Sequence, residues 1–185
     1  MQHGVDGGIL AGGGGRNRSP LRLDEVAARA VAECEPLAAE HGSTIDLVSS
    51  ARPVVSADPM ALHGAVVNLI VNAIRLGAPP VTVEVRQEER RGKAWGILTV
   101  SDRGPGIAKA DLPHLFEPFF RGQNALARRI PGSGLGLSLV FHAAEAAGGT
   151  VEVESHEGAG AEFKLSLPAD RDEGEGRHAQ PHPAG

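Results

Sequence analysis

Asp58-Pro59-Met60-Ala61-Leu62-His63-Gly64-Ala65-Val66-Val67-Asn68-Leu69-Ile70-Val71-Asn72-Ala73-Ile74-Arg75-Leu76-Gly77 is the stretch around which the chain is organised. Asp58 offers a capping carboxylate, Pro59 is preorganised for the first helical position, and the helix they start is expected to run to Gly77. Asn68, Asn72 and Arg75 then fall at i, i+4 and i+7 and share one face, while the other faces are apolar. Asparagine is a poor helix former and is costly to bury without a partner. Two of them on one stripe imply either a partner rich in donors, acceptors or charge, or an amphipathic helix whose polar face meets water.

Downstream, the apolar run 96–100 reads as a strand and delivers Asp102-Arg103-Gly104-Pro105-Gly106 at its end. An ionised carboxylate only accepts hydrogen bonds and the exocyclic amine of adenine only donates them, so Asp102 at a sheet end can select adenine over guanine, which presents a carbonyl there. Gly104 and Gly106 allow the backbone to turn and a purine to approach closely. An ordinary Asp-X-Gly turn is the plainer alternative. Further on, Gly132-Ser133-Gly134-Leu135-Gly136-Leu137 runs directly into a helical pattern. Backbone N–H groups at such a junction, with the positive helix end behind them, suit an anion such as a triphosphate. No Lys follows as a P-loop requires, and neither glycine cluster has the spacing of a dinucleotide fingerprint. A flexible glycine loop without a ligand is the other reading.

Residues 107–131 are too long and too irregular for a plain connector, which is the usual mark of a functional lid. They contain Phe116-Glu117-Pro118-Phe119-Phe120-Arg121, which is most of the chain's phenylalanine. Those rings could pack a core or dock a partner helix. Arg121, Arg128 and Arg129 could reach phosphates on closure or remain solvated, with Arg121 the first candidate.

The remaining pattern is simple. A short extended entry at 21–23 precedes a helix capped by Asp24 and ended by Gly42. Residues 44–49 alternate as a strand, 81–87 and 95–101 form a hairpin across the charged turn 88–93, 135–147 is helical, and 150–155 pairs with 161–167. Hairpins with interspersed helices and no repeating βαβ unit predict an α+β, two-layer α/β sandwich, its mixed sheet of about five strands carrying about three helices on one face. The expected division is a glycine-rich segment at 1–19, one domain at 20–168 and a tail at 169–185 without apolar residues to bury.

Composition agrees with one domain: 185 residues, 41% hydrophobic, and aromatics at only 3%, so aliphatic side chains must fill the core. A formal charge of −5 and the absence of a basic, aromatic-interleaved patch argue against nucleic acid. The apolar helix is interrupted by two asparagines and an arginine, and no membrane contact is expected. Cys34 lies in a helical pattern and reads as a buried thiol. His178 and His182, in a proline-broken tail, make a poor metal pair.

The four segments in this order resemble the N, G1, F and G2 boxes of the catalytic ATP-binding domain of sensor histidine kinases, within the Bergerat-type ATPase fold that gyrases, Hsp90 chaperones and MutL share. The resemblance spans about residues 21–168. It implies ATP and Mg2+ as cofactors, with Asn72 the metal ligand, Asn68, Arg75 and Arg121 near the phosphates, and Asp102 at the adenine. It further implies that Gly104, Gly106, Ile107, Gly132, Ser133, Gly134, Leu135, Gly136 and Leu137 contribute to the nucleotide pocket. Two positions depart from the family pattern. Leu76 stands where many relatives carry a tyrosine, and Gly64 where some branches use an acidic residue, so no catalytic base is assigned. The implied partners are a histidine-containing dimerisation domain and, downstream, a response regulator. Nothing in this chain has the form of that acceptor helix pair, so a monomer without efficient autophosphorylation is expected, in the cytoplasm whether or not the parent kinase is membrane-anchored. A nucleotide-binding module without transfer is the alternative. An anti-sigma-type serine kinase is a third possibility, against which the phenylalanine box speaks.

Overall fold

Strand β4 (Val81–Arg90) sets the layer order, because Val81, Val83 and Val85 are fully buried while the residues between them are not. The computed structural model describes residues 17–170 except 124, 125, 127 and 128. The other elements are β1 (Ser19–Arg22), α1 (Leu23–Glu40), β2 (Ile45–Ser49), β3 (Val54–Ala57), α2 (Pro59–Leu76), β5 (Lys93–Ser101), α3 (Gly136–Ala146), β6 (Thr150–Ser155) and β7 (Ala161–Pro168). Five strands form a sheet in the order β2-β4-β5-β7-β6. Strand β2 runs parallel to β4, and every other neighbour is antiparallel. A parallel neighbour needs a crossover, which β3 and α2 supply between β2 and β4. Leu98, Val100, Phe163, Leu165 and Leu167 extend the buried stripe of β4 across the sheet.

Helices α1, α2 and α3 lie on that face. Helix α1 buries Leu23, Val26, Ala27, Ala30, Val31, Cys34 and Ala38, and α2 buries Leu62, Ala65, Val66, Leu69, Ile70, Ala73 and Ile74. Both sets recur at three- and four-residue steps, the signature of one apolar helix face. Helix α2 sits centrally, packed on both α1 and α3. With 18 residues and a mean hydropathy of 1.3 it is long and apolar enough to cross a membrane, yet here it is a packed helix of the sandwich layer. Its start is as the sequence indicates: Asp58 Oδ1 accepts from the Met60 and Ala61 amides, both at 2.9 Å, with Pro59 next to the cap.

Four features differ from the sequence reading. Asp24 does not cap α1. Leu23 is fully buried and its amide donates to the Pro53 carbonyl at 3.0 Å, so the helix begins earlier than expected, with Arg22 and not Asp24 at the cap position. Asp24 lies instead in the first turn, where it complements the helix end and holds Arg22 in a two-point pair at 2.5 and 3.1 Å. Secondly, β1 pairs antiparallel with β3 in a small separate sheet. Four residues between Pro53 and Asp58 are too short to display an alternation, and only the pairing makes them a strand. Thirdly, the charged turn 88–93 contracts to Arg91 and Gly92, both at positive φ (52° and 73°), because a two-residue turn of that kind follows the twist of the flanking strands. Glu88 is thereby kept in β4, bridged by Arg86 at 2.7 Å and Arg90 at 2.6 Å. Finally, backbone pairing continues past Pro168: the Ala169 and Asp170 amides donate to Ala94 and Val54 carbonyls at 3.0 and 2.9 Å. Arg128, His178 and His182 lie outside the described residues.

Candidate functional site

In the polar stripe of α2, Asn68 and Asn72 are half-buried and Arg75 is exposed. Asn68, Asn72 and Arg75 border a cavity of about 370 Å³, closed on its other sides by the end of β5, the lid segment and the loop leading into α3. That volume is in the range of small-molecule sites, roughly 300–1,000 Å³. Asp102, Gly106, Ile107, Arg121, Gly132, Ser133, Gly134, Gly136 and Leu137 share the lining. Gly104 and Leu135, also singled out in the sequence, do not reach it. Leu135 occupies the cap position of α3, and Gly104 is buried behind the wall.

Asp102 is held by its own turn. Its Oδ1 accepts from the Gly104 amide at 2.7 Å, and its backbone amide donates to the Ala161 carbonyl at 3.0 Å, which ties the end of β5 to the start of β7. Burial pushes the Asp102 carboxyl above its ordinary value, against an opposing pull from the amide of Gly104 and neighbouring backbone. The glycines around it act by close packing. A side chain at Gly104 would come within 2.5 Å of the Gly77 Cα, and one at Gly77 within 2.4 Å of the Asp102 carboxyl carbon. Gly106, at a φ of +72°, has the His156 carbonyl oxygen where its Cβ would be. On the side where a Cβ would stand both glycines are packed against protein backbone, and of the two Gly106 borders the cavity.

The glycine loop meets the asparagine helix directly. A Cβ at Gly136 would lie 3.2 Å from the Asn68 amide oxygen, a tight contact that brings the first turn of α3 close against α2. Helix α3 has no side-chain cap and no acidic residue in its first turn. Its Gly136 and Leu137 border the cavity, so the positive end of a helix is turned toward the same space as the asparagines.

The lid is tied down from both ends. Phe119 stands at a φ of +64°, an uncommon conformation for a side chain of this size, and its amide donates to the Gly134 carbonyl at 3.0 Å. Gly134 is itself at +75°, and a Cβ there would strike the Phe119 carbonyl carbon at 2.6 Å. The Arg121 guanidinium donates to the Ile130 carbonyl across the neck of the lid. The three lid phenylalanines take different positions. Phe116 packs against the core and near the ring of Phe141, Phe120 lines the cavity beside His114, and Phe119 is 72% exposed.

Sequence reasoning missed Asp111, which is 7% exposed and lines the cavity. Its Oδ2 accepts from the Gln123 amide at 2.8 Å. Nothing in Ala108-Lys109-Ala110-Asp111 distinguishes this acid from a solvated one, since its partner is a backbone group twelve residues on. Val71, Leu115, Ile130, Pro131 and Phe163 also line the space. Leu76 and Arg75 end the helix at its rim, whereas Gly64 lies away from it with open space beside its Cα. Among the described residues no cluster of three metal-ligating side chains occurs.

Comparison with known proteins agrees with this geometry. The profile of the family described as Histidine kinase-, DNA gyrase B-, and HSP90-like ATPase matches residues 57–171. The sensor-like histidine kinase SenX3 of Mycobacterium tuberculosis is 35% identical over 153 residues, covering 83% of this chain and 37% of that protein. The mycobacterial sensor histidine kinase MprB superimposes with a TM-score of 0.68 at 26% identity, over 82% of this chain and 97% of that one. Full-length ShkA, solved in complex with AMPPNP, gives 0.69 at 28% identity over 82% of this chain and 31% of the other. This chain spans about a third of the length of the curated relatives it matches.

Proposed function

This chain belongs to the Histidine kinase-, DNA gyrase B-, and HSP90-like ATPase family, and from that premise we propose that its cavity binds ATP with Mg2+ and presents the γ-phosphate to a histidine on a separate dimerisation domain. One observation carries the reading: a helix stripe with two carboxamides, a sheet-end carboxylate and an uncapped helix start all border one cavity. Each suits a different part of the same ligand. Asp102, which only accepts, takes the adenine amine. The α3 N-terminus and the Gly132–Gly136 backbone, with no acidic side chain in the helix's first turn to oppose them, take the phosphates. The Asn72 amide oxygen is a hard donor fit for Mg2+, which keeps several waters and needs few protein ligands. Bound there, the ion would neutralise charge on the phosphate oxygens. Asn68 and Arg75 hold the phosphate end from the helix, and Arg121 from the lid, where a guanidinium grips two oxygens at once.

Phosphoryl transfer asks little covalent chemistry of the holding module; positioning and electrostatic stabilisation do most of the work. Closure of the lid over bound nucleotide would exclude water from the cavity, and the acceptor histidine approaches in line from the other domain. On this reading the chain is a monomer by itself, acts in the cytoplasm, and serves a response regulator downstream. Purified chain mixed with a matching dimerisation domain and radiolabelled ATP is expected to place an acid-labile, base-stable label on that domain. Nucleotide binding with no label would instead select a binding-only module; Leu76, aliphatic at the rim of the cavity, offers no ring to stack on a base.

A further inference from the structure

We infer that Asp111 is the positioning residue of the lid: its buried carboxylate pins the Arg121-Gly122-Gln123 segment to the cavity wall and thereby sets where the Arg121 guanidinium stands. The consequence for nucleotide affinity rests on the function proposed above; the pin itself does not. Asp111 is 7% exposed, and a carboxylate so far out of water is costly unless it is hydrogen-bonded. Its Oδ2 receives the Gln123 amide at 2.8 Å, and the neighbouring Gly122 carbonyl accepts from the Leu126 amide at 3.2 Å. Gly122 is shaped to this contact, because a Cβ there would lie 2.9 Å from the same oxygen. On its own side Asp111 is fixed by the turn that joins its amide to the Ala108 carbonyl at 2.8 Å, close after Ile107 at the cavity wall. Arg121 precedes the pinned pair directly. Its reach is therefore limited by the anchor at Gly122 and Gln123 on one side and by the Phe119–Gly134 bond on the other.

Amide hydrogen exchange of the full chain without nucleotide reads the pin, and titration with Mg-ATP reads its consequence. In Asp111→Ala the Gln123 amide is expected to exchange at least about tenfold faster, with β5 amides unchanged and ATP affinity lowered about tenfold. Asp111→Asn keeps an oxygen acceptor in place and is expected to restore most of both. Gly122→Ala forces a methyl against the carboxylate; it should speed Gln123 exchange in the wild-type background and add nothing in Asp111→Ala, since both break one contact. Should Asp111→Ala not fold, Gly122→Ala decides alone. Wild-type exchange at Gln123 in these variants would overturn the pin. Faster exchange with unaltered ATP affinity would overturn its role in placing Arg121. Failure of the wild-type chain to bind ATP would instead defeat the proposed function, while the exchange rates at Gln123 would still decide for or against the pin.

Discussion

Asp102 shows a residue held in a state that folding alone does not favour. Its folded-state pKa is raised by burial, so the native protein binds that proton more tightly than the unfolded chain does. Stability therefore falls as pH rises from the unfolded value through the folded one, and at neutral pH the ionised carboxylate opposes folding. Asp102→Asn removes the charge but keeps an acceptor for the Gly104 amide. Urea denaturation at pH 7 should show it as stable as the wild type or more so, while ATP affinity drops by at least about tenfold, because an amide can turn its donor toward the adenine amine. Loss of stability with affinity intact would reverse the assignment. Asp24 behaves in the opposite way. Its pKa is lowered chiefly by the hydrogen bond from Arg22, so its contribution is present above the unfolded value and is lost as pH falls through the folded one. Cys34 is 2% exposed, and its thiol is pushed up to about 11, first by burial and secondly by Glu33. A chromogenic disulfide reagent at pH 8 should leave it unmodified in the native chain and titrate it fully in urea. Rapid native labelling would show that α1 opens readily.

At the scale of elements, α2 was the most legible piece because both its ends are chemical signals: an aspartate-proline start and a glycine stop. Its interior holds one anomaly, Gly64, mid-helix with nothing within 4 Å of a Cβ built there. Gly64→Ala should raise stability by about 0.5–1 kcal/mol through the unfolded chain's lost freedom, as measured by denaturant midpoint. A lower midpoint would mean that the site is more crowded than the geometry allows. Helix α1 was harder to bound. Asp24 is a good capping residue by type, yet with the tertiary burial of Leu23 the cap falls at Arg22 instead. Strand β3 was invisible for a related reason, since its identity comes from its partner β1 and not from its own four residues. The lid could be recognised as irregular and unusually long, but its anchors could not be foreseen. Asp111 to Gln123 and Phe119 to Gly134 are contacts with backbone groups more than ten residues away, and no local pattern encodes them.

For the molecule as a whole, periodicity and turn chemistry were enough for the layer architecture and for both antiparallel hairpins, β4–β5 and β6–β7. They were not enough for the order β2-β4-β5-β7-β6 or for the parallel pairing of β2, which depends on how α2 crosses the sheet. The cavity is a product of that order. Helix α2, the end of β5 and the start of α3 are distant in sequence, and the fold brings their polar groups to one place. If Asn72 holds the metal, Asn72→Ala should bind ATP in a chelator as the wild type does, while losing the gain in affinity that Mg2+ gives; an undiminished Mg2+ effect would move the ion to other ligands. The most direct test of the convergence is calorimetric titration of the wild-type chain with ATP and with GTP at saturating Mg2+. One ATP site per chain, with GTP at least about tenfold weaker, is expected from a carboxylate that accepts from adenine and repels the guanine carbonyl. No heat with ATP, or equal affinity for the two nucleotides, would contradict the account.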